Sequence, residues 1–155
     1  MRHTQGGYGV CVPDEFVPYH RGTTDEDGIW ITEVDTGKTR LLISTREAAE
    51  RTLTTQRRAE YEKSELYGFH AKWSPDGRRL MFSFRFFPDE KGKMFRAMNY
   101  YGKALRYDVF SMKPDKNELY LAIPAEEWDN LGHHTNWKTD SSGFTMNLNL
   151  YRQGM

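Results

Sequence analysis

A ten-residue stretch occurs twice in this chain at a fixed spacing, and that recurrence limits the folds open to it. Gly68-Phe69-His70-Ala71-Lys72-Trp73-Ser74-Pro75-Asp76-Gly77 returns as Gly132-His133-His134-Thr135-Asn136-Trp137-Lys138-Thr139-Asp140-Ser141, so Gly, His, Trp and Asp coincide at an offset of 64. The residues that follow agree in character, Arg79-Leu80-Met81-Phe82-Ser83-Phe84 against Gly143-Phe144-Thr145-Met146-Asn147-Leu148. A strand, a tight turn and a second strand account for both copies. In the first, Pro75 brings a fixed φ to the turn and Gly77 tolerates the positive φ it needs. In the second, Thr139 replaces the proline, and Ser141-Ser142 reads as an insertion before Gly143.

A second hairpin type also appears twice. Gly28-Ile29-Trp30-Ile31-Thr32-Glu33-Val34 meets the turn Asp35-Thr36-Gly37-Lys38, and Arg40-Leu41-Leu42-Ile43 returns. Asp108-Val109-Phe110-Ser111-Met112 meets Lys113-Pro114-Asp115-Lys116-Asn117, and Leu119-Tyr120-Leu121-Ala122-Ile123 returns. β-branched and aromatic residues on either side of Gly, Pro, Asp and Asn are the hairpin signature. Strands are expected over 29–34, 39–43, 69–74, 79–85, 107–112, 118–123, 133–138 and 144–149. Between the hairpins, residues 44–66 read as one helix opened by a capping box, Ser44 with Glu47. Its large apolar positions are few (Leu53, Tyr61 and Leu66), which predicts a solvated connection with weak packing. Residues 85–106 mix aromatic and basic side chains without a period and read as a long loop.

Four-stranded units with a Trp73-Ser74-Pro75-Asp76-Gly77 turn, the degenerate copy Trp137-Lys138-Thr139-Asp140 and a closing hairpin around Asp35-Thr36-Gly37-Lys38 resemble the blades of TolB-type, WD40-like bacterial β-propellers. Gly7-Tyr8-Gly9, Asp27-Gly28-Ile29-Trp30 and Thr36 through Ser44 look like the branch similar to oligogalacturonate lyases. The resemblance implies an all-β, incomplete propeller with one helical insert. An outer half-blade would span 7–44, the insert 44–66, a full blade 67–123 and an inner half-blade 132–150. A propeller needs at least four blades of about 40–45 residues each. The remaining blades of a longer chain are therefore the expected partner, with other copies of this chain the alternative. Open blade faces should be apolar and self-associating: Trp137, Phe144, Met146 and Leu148 at one end, Ile29, Ile31, Leu41 and Ile43 at the other.

Function is less constrained than fold, because propellers host many activities. The resemblance implies a binding module that presents loops to a saccharide or protein ligand. The alternative is a lyase-like enzyme acting on uronic-acid oligomers, although the histidine- and glutamine-containing metal stretches of such lyases are not found. Composition excludes some partners. With 22 Lys+Arg against 22 Asp+Glu the formal charge is zero, which gives no electrostatic reason for nucleic acid or an anionic membrane. No run of 18 apolar residues exists to span a bilayer, and Met1 through Gly7 show no hydrophobic signal region. A single cysteine, Cys11, excludes an internal disulfide, leaves the compartment open and reads as a small buried hydrophobe.

The sharpest candidate site is His70 with His134, equivalent positions of successive inner strands. Each imidazole is expected to bond a neighbouring blade's turn; the alternative is that with Asn136 they hold a divalent metal, the only cofactor suggested, or act as acid or base. Arg85, Arg96 and Arg106, with Tyr100 and Tyr101 and near Phe86 and Phe87, suggest a face for a carboxylated ligand, since Arg pairs with carboxylate bidentately. Anchoring of a loop by its aromatics is the other reading. Trp73, Trp137, Phe82 and Met146 are expected in the core between blades. Trp30, set between Ile29 and Ile31, is also expected there, with a sugar-stacking platform as its alternative. No nucleophile–base set, phosphate-cradling glycine loop or zinc spacing is present, so catalytic residues stay unassigned.

Overall fold

The computed structural model describes residues 21–87, 106–130 and 133–147. Strand dominates. In chain order come β1 (Gly28–Thr32), β2 (Thr39–Ser44), α1 (Thr45–Thr52), α2 (Thr55–Glu62), β3 (Glu65–Trp73), β4 (Leu80–Phe87), β5 (Arg106–Met112), β6 (Tyr120–Ile123), a 3-10 turn over Ala125–Asn130, β7 (His133–Trp137) and β8 (Phe144–Asn147). They form three antiparallel sheets, β1-β2, β3-β4-β5-β6 and β7-β8. Among the described residues, no helix is long and apolar enough to cross a membrane.

The two repeats extend to the backbone pairing. β3–β4 pairs Phe69 with Ser83, Lys72 with Met81 and Trp73 with Leu80; β7–β8 pairs His133 with Asn147, Asn136 with Thr145 and Trp137 with Phe144, each exactly 64 residues on. β1–β2 pairs Ile29 with Ile43, Trp30 with Leu41 and Ile31 with Arg40; β5–β6 repeats this 80 residues on with Val109–Ile123, Phe110–Leu121 and Ser111–Tyr120. Even the bulges coincide, after Ile29 and after Val109. β7–β8 is thus a second copy of β3–β4, and β1–β2 of β5–β6.

The turn after β7 corrects the expected insertion. Gly77 N–H donates to Ser74 C=O and Ser74 N–H to Arg79 C=O, both at 2.8 Å; Ser141 to Lys138 (3.0 Å) and Lys138 to Gly143 (2.9 Å) repeat the pattern at the same offset. Ser141 (φ 61°) takes the left-handed place of Gly77 (φ 69°), so no residue is added.

The four-stranded sheet is buried on both faces. On one, Leu80, Phe82, Phe84 and Phe86 of β4 join Phe110 and Met112 of β5, and Ile29, Leu42 and Ile43 of the β1–β2 hairpin pack over them. On the other, Met81 and Val109 meet Trp137, with Phe144 and Met146 beside it. Each large apolar side chain so buried contributes about 1.5–3 kcal/mol. Gly68 sits where β1 crosses β3: a Cβ there would lie 3.1 Å from both Gly28 C=O and the Ile29 side chain.

The helical segment differs from its expectation in two ways. It is two helices, broken where Leu53 turns extended (ψ 147°) and Thr54 starts a new one. Ser44 Oγ accepts from Glu47 N–H at 2.9 Å and Thr54 Oγ1 from Arg57 N–H at 3.2 Å, so each helix has its own cap. Nor is packing weak, since Ala48, Ala49, Leu53 and Tyr61 all lie in the core. Two alanines let α1 approach closely, which a count of large apolar residues overlooks.

The tryptophans divide unexpectedly. Trp137 and Phe82 are buried as predicted, but Trp73 is 45% and Trp30 52% exposed. Trp30 lies between Ile29 and Ile31, both packed on the core, so strand alternation turns it to the opposite face. Trp73 pairs with Leu80 at the end of the β3–β4 ladder beside the turn. Conversely Ile29 and Ile43, expected on an open face, are buried, and Ile31 and Leu41 are partly so. Trp137 of the opposite set is buried too, with Phe144 and Met146 partly buried against the central sheet. Cys11, Leu148 and the stretch 88–105 lie outside the described residues.

Candidate functional site

The equivalent strands β3 and β7 meet at their bulges. His70 (φ 49°) and His134 (φ 58°) both adopt the left-handed backbone, a conformation that costs an L-residue about 1–2 kcal/mol. Each occupies its strand's register shift, between Phe69 and Lys72 and between His133 and Asn136. Bulges of this kind re-aim side chains, and strain kept at matching positions must be held by its surroundings. The outcome is a pair of imidazoles with ring centres 6.2 Å apart, inclined at 53°.

Two hydrogen bonds fasten β3 to β7 beside this pair. Lys72 Nζ donates to Thr135 C=O and Trp137 Nε1 donates to Lys72 C=O, both at 3.0 Å. His70 stacks on Phe69 with ring centres 3.7 Å apart. Across the strand, Arg85 lays its guanidinium 3.2 Å from the centre of the Phe69 ring and 4.8 Å from that of Tyr107. The face carrying His70 therefore gathers positive charge. Burial, then Arg85, Lys72 and His134, push the His70 imidazole down from its ordinary value to about 4, so it is neutral near pH 7. Two buried polar atoms, Arg85 Nε and Thr135 Oγ1, have no hydrogen-bond partner among the described residues.

Of the residues proposed from sequence, the structure brings together His70, His134 and Arg85. Arg106 goes elsewhere. It pairs with Phe86 on the opposite face of the sheet, and its guanidinium reaches Glu60 and Glu126 at 3.1 and 3.0 Å. Those ion pairs tie α2 to the 3-10 turn and place Arg106 away from the histidines. Arg96, Tyr100 and Tyr101 lie outside the described residues. Asn136 is exposed, two residues after His134. Among the described residues no three His, Cys, Asp or Glu side chains gather as a metal site would require, so Asn136 would have to be the third donor. Lys72 and Thr135 were missed. Lys72 sits two residues after His70, but only the β3–β7 contact shows that it belongs to the site.

A second charged cluster lies in the core. Asp108, fully buried, accepts from Tyr61 Oη at 2.8 Å and from Ala125 N–H at 2.7 Å, with Arg57 Nε 3.5 Å away. Burial pushes its carboxyl up, against the pull of Arg57 and the two hydrogen bonds. Arg57 also pairs with Glu60 and Glu126. Every partner is internal, so this is a structural clasp between α2, β5 and the 3-10 turn.

A scan against protein-family models finds no match for the chain, and no curated protein and no solved structure matches it either. The site therefore has to be judged on its own geometry.

Proposed function

We propose that this chain is part of a β-propeller-type binding module whose face around His70, Lys72 and Arg85 takes a carboxylated saccharide. The observation that carries this reading is the pair of bulged histidines set beside Lys72 and Arg85. Cations held by aromatic rings and by the neighbouring strand attract an anion, and a guanidinium recognises a carboxylate through directed hydrogen bonds. Neutral His70 both donates and accepts, as sugar hydroxyls require.

One alternative shares this face. A lyase-type β-elimination would need an imidazole to remove the proton α to the carboxylate and Arg85 to stabilise the enolate charge, but a His70 held down to about 4 is a weak base for that step. A divalent ion on His70, His134 and Asn136 is the other arrangement open to rings 6.2 Å apart. Lys72 and Arg85 oppose a cation there, and the anion reading is preferred for that reason.

Calorimetric titration with trigalacturonate tests the choice. Binding should exceed that of a neutral trisaccharide, and Arg85→Met should weaken it about 10- to 100-fold, the worth of a charge-assisted hydrogen bond. Equal affinity for the neutral sugar, or no effect of Arg85→Met, defeats the carboxylate reading. Mn²⁺ binding lost in His134→Ala would favour the metal arrangement instead.

A further inference from the structure

We infer that the β7–β8 hairpin of one copy joins the β1–β2 hairpin of a second copy into one four-stranded sheet, so that chains assemble head to tail. This goes beyond the ligand reading and rests on the paired repeats. β7–β8 repeats β3–β4 at an offset of 64 and β1–β2 repeats β5–β6 at 80, bulges included. In the central sheet the two hairpin types are joined by β4 pairing with β5, Leu80 to Met112, Met81 to Ser111 and Phe82 to Phe110. Transferring those pairs by the same offsets predicts the junction. Phe144 would face Thr32, Thr145 would face Ile31 and Met146 would face Trp30 of the second copy.

The exposed tryptophans fit this occupant. Trp30 corresponds to Phe110, which is fully buried under the preceding hairpin, yet Trp30 itself is half exposed. Trp73 corresponds to Trp137, whose indole docks on β3 through Lys72 C=O at 3.0 Å. The equivalent of Lys72 at the other end is Asn136. A second copy's β7 therefore presents to Trp73 the same kind of surface that β3 presents to Trp137. The chain carries both halves of one interface at opposite ends, a heterologous contact that forms a ring when its rotation closes. The described residues of each chain bring eight strands, two sheets' worth, so rings of two to four copies would hold about four to eight such sheets, the range of closed propellers.

Light scattering after size exclusion should show a discrete oligomer of two to four chains. Trp30→Asp and Trp73→Asp should each release monomers whose far-ultraviolet circular dichroism keeps the strand signal. As a second readout that does not depend on those variants folding, Thr145→Cys with Ile31→Cys, in a Cys11→Ser background, should oxidise to intermolecular disulfides. A wild-type chain that stays monomeric, grows without limit, or keeps its oligomer mass in both tryptophan variants overturns the inference. Failure of the cysteine pair to cross-link chains also overturns it. Ligand titration is read separately, so loss of the oligomer and loss of saccharide binding remain distinguishable.

Discussion

Asp108→Ala is expected to lower folding stability by about 3–5 kcal/mol, the cost of breaking a buried ion pair by removing one partner. The carboxylate is the acceptor for two buried donors, Tyr61 Oη and Ala125 N–H, and it faces Arg57 in the same enclosed space. Alanine leaves both donors without a partner, at about 1–3 kcal/mol for each unsatisfied group. Arg57 keeps Glu60 and Glu126, which limits the loss. Tyr61 also packs on Phe86 at 4.8 Å between ring centres, so α2 should loosen with the clasp. Urea unfolding followed by circular dichroism checks this. A loss below about 1 kcal/mol, the level of ordinary exposed pairs, would mean that the clasp is not closed as described.

Phe110→Ala should cost about 3–5 kcal/mol, while Trp30→Ala, the equivalent position 80 residues earlier, should cost under about 1 kcal/mol when measured on monomers. Phe110 is fully buried, its ring 5.3 Å from Phe82 and 5.1 Å from Phe84, centre to centre. Removing it opens a cavity in the middle of a packed aromatic layer. Trp30 has the larger ring but half of its surface already meets water. Two positions of one repeat therefore differ because of what covers them. Denaturant melts of the two variants in parallel decide the point, and equal losses would show that position in the repeat, not the covering element, sets burial.

This contrast also shows what could be read from the sequence. Strands and turns were legible because alternation and Gly/Pro/Asp punctuation are local signals, and all eight strands fall within a few residues of their expected ranges. The offset of 64 even anticipated that His70 and His134 would meet. Exposure was not legible. Whether Trp30 or Trp73 is covered depends on a neighbouring sheet, and residue type alone assigns any mid-strand tryptophan to the core. The clasp escaped for a related reason. Asp108 opens a hairpin motif in the sequence, and nothing local shows that Arg57 and Tyr61 fold over it. Arg85 and Arg106 looked equivalent as basic residues flanking a loop, but the β4–β5 register places them on opposite faces. One joins the histidines and the other joins Glu60 and Glu126.

The most direct test of an anion-binding histidine face is nuclear magnetic resonance titration of the His70 ring, with and without trigalacturonate. Free His70 should titrate at about 4, held down by burial and by Arg85, Lys72 and His134. A bound carboxylate adds negative charge beside the imidazole, favours its protonated form and should move the titration upward. His70→Gln in a parallel sample assigns the signal. A midpoint near 4 that rises when the ligand is added is the predicted result. A free midpoint at the ordinary histidine value, or one that stays in place at saturating ligand, would contradict it.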